Sequence, residues 1–462
     1  MRNALLVVGL LAAVLTAESR QPVDLVIAGG IVVTMDGERR VLDPGSVAIR
    51  GNTIVAVDTV ERVARDFEAA DTIDARTRVV MPGLINTHTH APMVLYRGLA
   101  DDLALMDWLE KYIFPAEAKT VSPGFVRTGT ELAALEMIRS GTTTYVDMYY
   151  FEEEIARATK RAGLRGVLGQ TVIDFPVADA KTPAEALKRA EAFIREFQHD
   201  ELITPAVAPH AVYTNDAASL TESRDLAVRY GVPLLIHLAE TEAETAMSLE
   251  RHKARPVAAL DALGFFKARV IAAHGVWIEP QEIQLLYQRG VGVAHNPESN
   301  MKLASGTAPV PGYLRANIAL GLGTDGAASN NDLDMFEAMR QAAFLHKLTS
   351  KDPQMVSAQT ALAMATLGGA RVIGREKDLG SLEPGKLAEV IVVRMDQPRQ
   401  TPMYEPMSHL VYTTRGDDVE TTIVHGRVLM REGKVLTLDQ AQVLAAARAA
   451  AAQVRAAVAV AP

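Results

Sequence analysis

Short apolar segments that alternate with helical patterns fill the middle of the chain, between residues 81 and 370. Apolar runs of this length, bounded by turn residues, are typical of strands buried in a parallel sheet. The candidate strands cover residues 79–90, 142–147, 166–172, 203–210, 232–240, 270–276, 291–295 and 318–325. Helical patterns lie between them, for example over residues 123–140, 183–196 and 333–348. Eight such units predict an α/β fold, a TIM-like (β/α)8 barrel, whose functional residues lie at the carboxyl ends of the strands.

Both ends of the chain have the pattern of short strands joined by tight turns. Gly29-Gly30 and Gly51-Asn52 each separate two apolar runs, and His425-Gly426 does the same near the other end. Such dipeptides favour two-residue hairpin turns. The pattern predicts a small β-sandwich domain built from residues 20–80 and 371–437, with two separate β caps as the alternative. Residues 438–462 are rich in alanine and predict a helical tail.

Residues 1–19 have the pattern of a signal peptide. A basic start at Arg2 precedes an apolar run over residues 4–17, and Ala17-Glu18-Ser19 offers a cleavage site between small residues. The run is short for a membrane span and no cysteine follows it, so no stable membrane anchor is expected. We therefore expect export to the periplasm or beyond. A cytoplasmic protein with an apolar N-terminus is the alternative.

The composition excludes several classes of function. The 462-residue chain has a formal net charge of −9, which gives nucleic-acid binding little electrostatic support. It contains no cysteine, so disulfides and Cys-ligated metals are excluded. Any bound metal must be held by His, Asp or Glu. The expected partner is a small-molecule substrate, and a homo-oligomer is left open.

Histidines and carboxylates recur where the predicted strands end. These residues are His88, His90, His210, His237, Glu240, His274 and Asp325. Histidine and carboxylate ligands suit one divalent ion, Zn²⁺ in the first place and Fe²⁺ or Mn²⁺ as alternatives. A second ion commonly needs a bridging lysine, and residues 166–172 and 203–210 contain no lysine. The sequence therefore predicts a hydrolase with a single metal ion.

The strand ends and their neighbouring motifs resemble those of the amidohydrolase superfamily. The matching stretches are PGLINTHTH at 82–90, WL at 108–109, IFPAE at 113–117, HLAE at 237–240, AHGV at 273–276, HNPESNMKL at 295–303 and GTDGAASN at 323–330. Together they are most similar to the 5-methylthioadenosine/S-adenosylhomocysteine deaminases. The resemblance implies an aminohydrolase that converts a 6-aminopurine nucleoside to the inosine analogue and ammonia.

The resemblance also implies a role for individual residues. The implied metal ligands are His88, His90, His237 and Asp325. Glu240, His274 and Asp325 would be catalytic: Glu240 as proton shuttle, His274 as the partner of the attacking oxygen and Asp325 as the acceptor of the water's proton. The implied substrate-binding residues are Glu117 at the ribose hydroxyls, His210 and Trp108 along the pocket, and Ser329 at the base or the leaving group.

One stretch departs from the pattern of these deaminases. Arginines after the third strand can bind the amino-acid carboxylate of S-adenosylhomocysteine, but residues 171–179 contain no arginine, and Lys188 and Arg189 come later. Methylthioadenosine or adenosine is therefore the expected substrate. Three alternatives stay open: another amino- or chloro-heterocycle such as guanine, cytosine or an s-triazine, an exported dipeptidase, and a non-catalytic binding protein.

Overall fold

The computed structural model describes residues 20–458, so the predicted signal peptide lies outside the described residues. The strands in chain order are β1 Gln21–Val33, β2 Val41–Arg50, β3 Thr53–Thr59, β4 Phe67–Asp74, β5 Arg78–Pro82, β6 Leu84–Thr89, β7 Thr142–Tyr149, β8 Arg165–Val172, β9 Ile203–Pro209, β10 Leu234–Leu238, β11 Val270–His274, β12 Gly292–His295, β13 Ala319–Leu322, β14 Val390–Arg394, β15 Val419–Val424, β16 Arg427–Arg431 and β17 Lys434–Val435.

The helices are α1 Val60–Asp66, α2 Leu105–Trp108, α3 Phe114–Thr120, α4 Pro123–Arg139, α5 Glu152–Ala162, α6 Pro183–Phe197, α7 Ala217–Tyr230, α8 Glu242–His252, α9 Pro256–Ala262, α10 Pro280–Gln288, α11 Pro297–Lys302, α12 Val310–Arg315, α13 Met335–Ser350, α14 Ala358–Ala363, α15 Gly369–Ile373, α16 Pro406–Tyr412 and α17 Gln440–Val458. A 3₁₀ helix covers Ala91–Tyr96, and a π-helical turn, Leu109–Ile113, joins α2 to α3.

Strands β6 to β13 form the predicted parallel barrel. They pair in sequence order in one eight-stranded sheet. The two edge strands then meet: Thr87 Oγ1 on β6 donates to the carbonyl oxygen of Leu322 on β13 at 2.8 Å, and the Asp325 N–H donates to the carbonyl of His88 at 3.0 Å. This closure brings the residues at the end of β6 beside those that follow β13.

The strand predicted over residues 79–90 is divided into β5 and β6 at Gly83. Strand β5 pairs antiparallel with β14 in the terminal sheet, whereas β6 pairs parallel with β7 in the barrel. Pro82 has no N–H to continue a ladder. At Gly83 a Cβ atom would lie 2.2 Å from the Thr143 side chain, so only glycine allows this close approach. The chain changes sheets at this Pro-Gly step.

The two chain ends join in one small β domain, as predicted, and its nine strands within residues 20–458 belong to a single mixed sheet. Its strand order is β17-β16-β15-β14-β5-β1-β2-β3, with β4 paired to β1. The turns at Gly51-Asn52 and His425-Gly426 are confirmed, but the hairpin at Gly29-Gly30 is wrong. Strand β1 runs straight through both glycines with a register shift against β2. A Cβ atom on Gly30 would lie 2.9 Å from Val80, so these glycines permit close packing of strands and not a turn.

A buried ion pair joins the terminal sheet to the barrel. Arg165 on β8 is 2% exposed, and its Nη2 donates to Oε1 of Glu389 at 2.8 Å. Its Nη1 donates to the carbonyl oxygen of Glu201 at 2.5 Å. Because two charges taken out of water are stable only when they are paired, this contact ties the position of Glu389, just before β14, to the barrel.

The predicted C-terminal helix is confirmed as α17, which packs on the barrel's outer helices. Its buried side chains are Val443, Ala447 and Val454, and it contacts α3, α4 and the 3₁₀ helix Ala91–Tyr96. Between residues 20 and 458, none of the helices combines the length and the apolar character needed to cross a membrane.

Candidate active site

Three histidines and one aspartate converge at the carboxyl ends of the barrel strands. His88 and His90 lie at the end of β6, two residues apart, so that their side chains point the same way. Oδ1 of Asp325 lies 3.3 Å from Nε2 of His88 and 3.3 Å from Nε2 of His90. Nε2 of His237, on β10, lies 3.2 Å from Nε2 of His90. The ligand atoms of His88, His90 and His237 lie within 4.8 Å of one another, as do those of His88, His274 and Asp325, so electron-pair donors surround one point.

The protons of two imidazoles are fixed on the side that faces away from this point. Nδ1 of His90 lies 2.7 Å from the carbonyl oxygen of Met148, and Nδ1 of His237 lies 2.8 Å from that of His210. A carbonyl oxygen only accepts, so each Nδ1 donates and each Nε2 keeps its lone pair. This is the arrangement in which backbone carbonyls orient metal-ligating histidines.

The remaining histidine provides a test of whether a metal fits. Nε2 of His88 is buried and has no hydrogen-bond partner within the described part of the chain. Burial lowers the pKa of His88 to about 4, so the ring is neutral and able to ligate at neutral pH. An unpaired buried polar atom costs free energy, which a cation at this point would offset. The donor set of nitrogen and carboxylate oxygen fits Zn²⁺, Fe²⁺ or Mn²⁺.

Asp325 is held as a carboxylate by its surroundings. Ser299 Oγ and Ser329 Oγ donate to its Oδ2 at 2.7 and 2.9 Å, and the Gly326 N–H donates to its Oδ1 at 2.8 Å. Burial alone would raise the pKa of Asp325, but His88 and the imidazoles nearby hold it well below its usual range. Ser329, predicted to touch the substrate, thus also supports Asp325.

Glu240 and His274 form a second buried pair beside the cluster. Nε2 of His274 lies 3.7 Å from Oε2 of Glu240, and its Nδ1 donates to the Asn300 side-chain oxygen at 2.9 Å. The N–H of Glu240 donates to the buried carboxylate of Glu244 at 2.8 Å. Burial raises the pKa of Glu240, and for His274 the charges of Glu240 and Asp325 outweigh burial and raise the pKa. The two side chains therefore lie within ion-pair distance, and both hold a proton to higher pH than isolated groups of their kind.

A cavity opens from the cluster and runs between the strand ends and the helices α2 and α3. Its walls are mostly apolar and aromatic side chains with a few polar groups among them, as is common in small-molecule sites. Nine of the ten predicted site residues line it: His90, Trp108, Glu117, His210, His237, Glu240, His274, Asp325 and Ser329. The tenth, His88, lies against Asp325 in the cluster.

Glu117 projects into this cavity from α3. It is 7% exposed, and its Oε1 accepts a hydrogen bond from the Tyr149 hydroxyl at 2.6 Å. Burial raises the pKa of Glu117 to about 7, and the hydroxyls of Tyr149 and Tyr150 partly offset this. Each carboxylate oxygen has two lone pairs, so the group can accept hydrogen bonds from a diol in addition to these tyrosine contacts.

Several residues that support the site were not found from the sequence. They are Tyr149, Tyr150, Glu244, Ser299 and Asn300. Ser299 and Asn300 lie in the HNPESNMKL stretch, which signalled the family but not their contacts. Glu244 follows Thr241, which caps α8, and has the sequence signature of an ordinary first-turn glutamate. Only the fold shows that its carboxylate points inward.

Comparisons with known proteins agree with this geometry. Residues 79–429 match the amidohydrolase family. A 5-methylthioadenosine/S-adenosylhomocysteine deaminase of Syntrophobacter fumaroxidans is 48% identical over 421 residues, 91% of this chain and 96% of that protein. A 5'-deoxyadenosine deaminase of Methanosarcina mazei is 44% identical, over 93% of this chain and 98% of that protein. The crystal structure of an adenosine deaminase from Xanthomonas campestris with bound zinc superposes with a TM-score of 0.93 at 40% identity, covering 95% of this chain and 100% of that one.

Proposed function

The chain belongs to the amidohydrolase family, and we propose that it is a metal-dependent deaminase that hydrolyses the 6-amino group of purine nucleosides. The substrates we propose are 5'-methylthioadenosine, adenosine and S-adenosylhomocysteine, and the products are the inosine analogue and ammonia. One observation carries the proposal: the buried His and Asp cluster and Glu117 line the same cavity. The cavity therefore combines a centre suited to hydrolysis with a carboxylate, Glu117, that is suited to binding the two hydroxyls of a ribose. The names of the relatives support the same reaction.

We propose that one divalent ion, Zn²⁺ in the first place, is held by His88, His90, His237 and Asp325. The unpaired Nε2 of His88 and the outward-facing protons of the other two rings support this ligand set. When bound, such an ion lowers the pKa of a water molecule to about 7. Fe²⁺ and Mn²⁺ suit the same donors, and metal analysis of the purified protein distinguishes the three.

The side chains around the cluster supply the proton transfers. Asp325, kept ionised by its neighbours, accepts a proton from the attacking water. His274 has its Nδ1 tied to Asn300, so its Nε2 faces the attacking oxygen. Glu240, whose pKa burial raises, delivers a proton to N1 of the purine as the oxygen adds to C6. The C6–N bond then breaks: the amino group takes the proton that Asp325 accepted and leaves as ammonia, and the new C6 hydroxyl gives its proton back to Glu240, which leaves the 6-oxo product protonated at N1.

The test is a conversion assay with the purified, metal-loaded protein. We expect loss of the adenine absorbance with each of the three nucleosides and release of one ammonia per nucleoside. The matched variant Glu240→Gln keeps the shape of the side chain and removes its acid, so it is expected to bind metal but deaminate slowly. An inactive wild-type protein that contains its metal would refute the proposed substrate class.

We further propose that residues 1–19 direct export and are removed, an expectation that rests on their sequence pattern alone. Fractionation of cells that express the full chain, followed by N-terminal sequencing, tests it. A mature N-terminus near residue 20 in the exported fraction is expected. An intact Met1 in the cytoplasmic fraction would contradict it.

A further inference from the structure

The proposed metal ligand His90 lies between two residues that one buried carboxyl group holds. We infer, on the basis of the proposed metal site, that Asp147 on β7 is a positioning residue that fixes His90 for metal binding. Oδ1 of Asp147 accepts a hydrogen bond from the Thr89 hydroxyl at 2.6 Å and another from the N–H of Ala91 at 2.5 Å. A single oxygen atom therefore binds both the residue before the ligand and the residue after it.

The backbone at His90 needs such support because regular strand pairing does not continue through it. Between Asn86 and Thr89 the register of β6 shifts against β7, so that three steps along β6 oppose two steps along β7. An extra residue of this kind is a β-bulge, which bends a strand and re-aims its side chains beside active sites. The 3₁₀ helix Ala91–Tyr96 begins directly after His90, whose own side chain does not cap it. The ligand therefore lies at a junction that the β6–β7 ladder alone does not hold.

The neighbours of Asp147 on β7 complete the contacts to this junction. Nδ1 of His90 donates to the carbonyl oxygen of Met148 at 2.7 Å. The Thr89 hydroxyl also lies 2.9 Å from the carbonyl oxygen of Val146, so its one proton can go to that oxygen or to Asp147. Three consecutive residues of β7 thus bind three consecutive residues centred on the ligand. Because two rotatable bonds join the imidazole to the backbone, its Nε2 is fixed only when the backbone and Nδ1 are both held.

The side chain of Asp147 makes these contacts away from water. It is fully buried, and its second oxygen, Oδ2, has no hydrogen-bond partner within residues 20–458. Burial of a carboxyl group costs free energy that hydrogen bonds offset. In this case the offset comes from Oδ1, through the bonds to Thr89 and Ala91. The bonds that stabilise Asp147 in the interior are therefore the same bonds that fix the backbone on both sides of His90.

A purely structural role for Asp147 makes a different prediction from a positioning role. The N–H of Ala91 belongs to the first turn of a helix, where N–H groups have no partner inside the helix. If Asp147 only satisfied that group, its loss would destabilise the fold and leave the metal affinity of the folded protein unchanged. Residues that orient metal ligands instead change metal affinity by about 10- to 100-fold when they are replaced. The metal affinity of the folded protein therefore separates the two roles.

The experiment measures the dissociation constant for Zn²⁺ in the folded, full-length protein by competition with a chromogenic chelator. Asp147→Ala removes both hydrogen bonds and is expected to raise this constant about 10- to 100-fold. Asp147→Asn keeps an acceptor oxygen in the place of Oδ1 and replaces only the unpartnered Oδ2, so it is expected to recover most of the lost affinity. Thr422→Val is the control, because it removes a buried hydroxyl on β15 that donates to the carbonyl oxygen of Ile138. It is expected to leave the dissociation constant unchanged.

The possible results separate this inference from the proposed function. Zn²⁺ affinity in Asp147→Ala within about threefold of wild type would overturn the positioning role, and so would an asparagine variant as weak as the alanine variant. If Asp147→Ala does not fold, the pair Thr89→Val and Thr89→Ser decides: we expect weaker Zn²⁺ binding in the valine variant alone, and equal affinity in the two would overturn the inference. None of these measurements uses a nucleoside. A wild-type protein that binds Zn²⁺ but deaminates no nucleoside would overturn the proposed reaction alone, and one that binds no Zn²⁺ would overturn the proposed metal site together with this inference.

Discussion

Replacement of Glu117 by Gln tests whether this enzyme recognises a nucleoside or a free base. The buried carboxylate already accepts one hydrogen bond from Tyr149, which leaves lone pairs for two ribose hydroxyls. Hydrogen bonds to a charged group contribute about 1.5–3 kcal/mol each. If the amide keeps about half of the energy of two such bonds, Glu117→Gln loses about 1.5–3 kcal/mol. We therefore expect kcat/KM for adenosine to fall about 10- to 150-fold.

A substrate without the diol provides the control for this prediction. With 2',3'-dideoxyadenosine, wild-type and Glu117→Gln proteins are expected to differ by less than about threefold, because the bonds that the variant loses do not form. The two proteins and two substrates form a cycle that isolates the contact between Glu117 and the hydroxyls. An equal loss with both substrates would refute the reasoning, since Glu117 would then act on the fold or on the base.

The same residue predicts a pH dependence. Burial raises the pKa of Glu117 to about 7, so the acid form predominates below that pH and the carboxylate above it. The carboxylate is the better acceptor for two hydroxyls, so kcat/KM for adenosine is expected to rise with pH up to about 7 and then level off. This rise should be absent from the profile of Glu117→Gln. A profile unchanged by the substitution would assign the titration to another group.

Four further substitutions test the metal centre, the proton transfer and the fold. His88→Ala is expected to lose bound metal, measured by mass spectrometry after dialysis, and activity with it; full metal retention would remove His88 from the ligand set. Glu240→Gln should retain the metal and lower kcat about 10²- to 10⁴-fold, and a loss below tenfold would exclude it as the proton carrier. Glu389→Gln leaves the Arg165 guanidinium buried without its carboxylate partner. The free energy of unfolding, measured by urea unfolding, is expected to fall by about 3–5 kcal/mol. A fall of less than about 1 kcal/mol would contradict this. Burial lowers the pKa of His346 from 6.5 to about 4. The unfolded chain therefore binds this proton first, and this group lowers the free energy of unfolding by up to about 3 kcal/mol as the pH falls between those values. The pKa of His88 is lowered as well, so His346→Leu should reduce the pH dependence of the free energy of unfolding without abolishing it; an unchanged dependence would contradict this.

The strand ends were predictable because their geometry follows from a local pattern. Apolar runs with a histidine or aspartate at the end located His90, His237 and Asp325, and a barrel places all such ends on one face. Which of these side chains come close enough to bind one ion depends on how the barrel closes. His88 and Asp325 are 237 residues apart in the sequence, and only the pairing of β6 with the region after β13 brings them within 3.3 Å. The resemblance to the amidohydrolase superfamily had already indicated that His88 and Asp325 belong to the same site.

The local pattern failed where a distant contact decides the conformation. Gly29-Gly30 has the composition of a hairpin turn, yet β1 continues through it because Val80 packs against Gly30. Val80 lies fifty residues further along the chain, so no window around the glycines contains the deciding information. The Pro82-Gly83 step shows the converse. Its composition indicates a break in the strand, but the result of that break, a change from one sheet to the other, depends on the close approach of Thr143 to Gly83.

Glu117 was predicted only through the resemblance to a family, and the reason is where it lies in the fold. His88, His90, His237 and Asp325 lie at strand ends that barrel closure fixes, whereas Glu117 lies on α3, which follows a π-helical turn. Loops and helix starts tolerate change without loss of the fold, so related enzymes can alter these positions and keep the chemistry. Substrate preference among relatives should therefore follow the residue at position 117 more closely than overall identity. A Glu117 exchange that lowered activity on a nucleoside but not on one without the diol, with the metal content unchanged, would place substrate recognition on α3 and hydrolysis on the barrel.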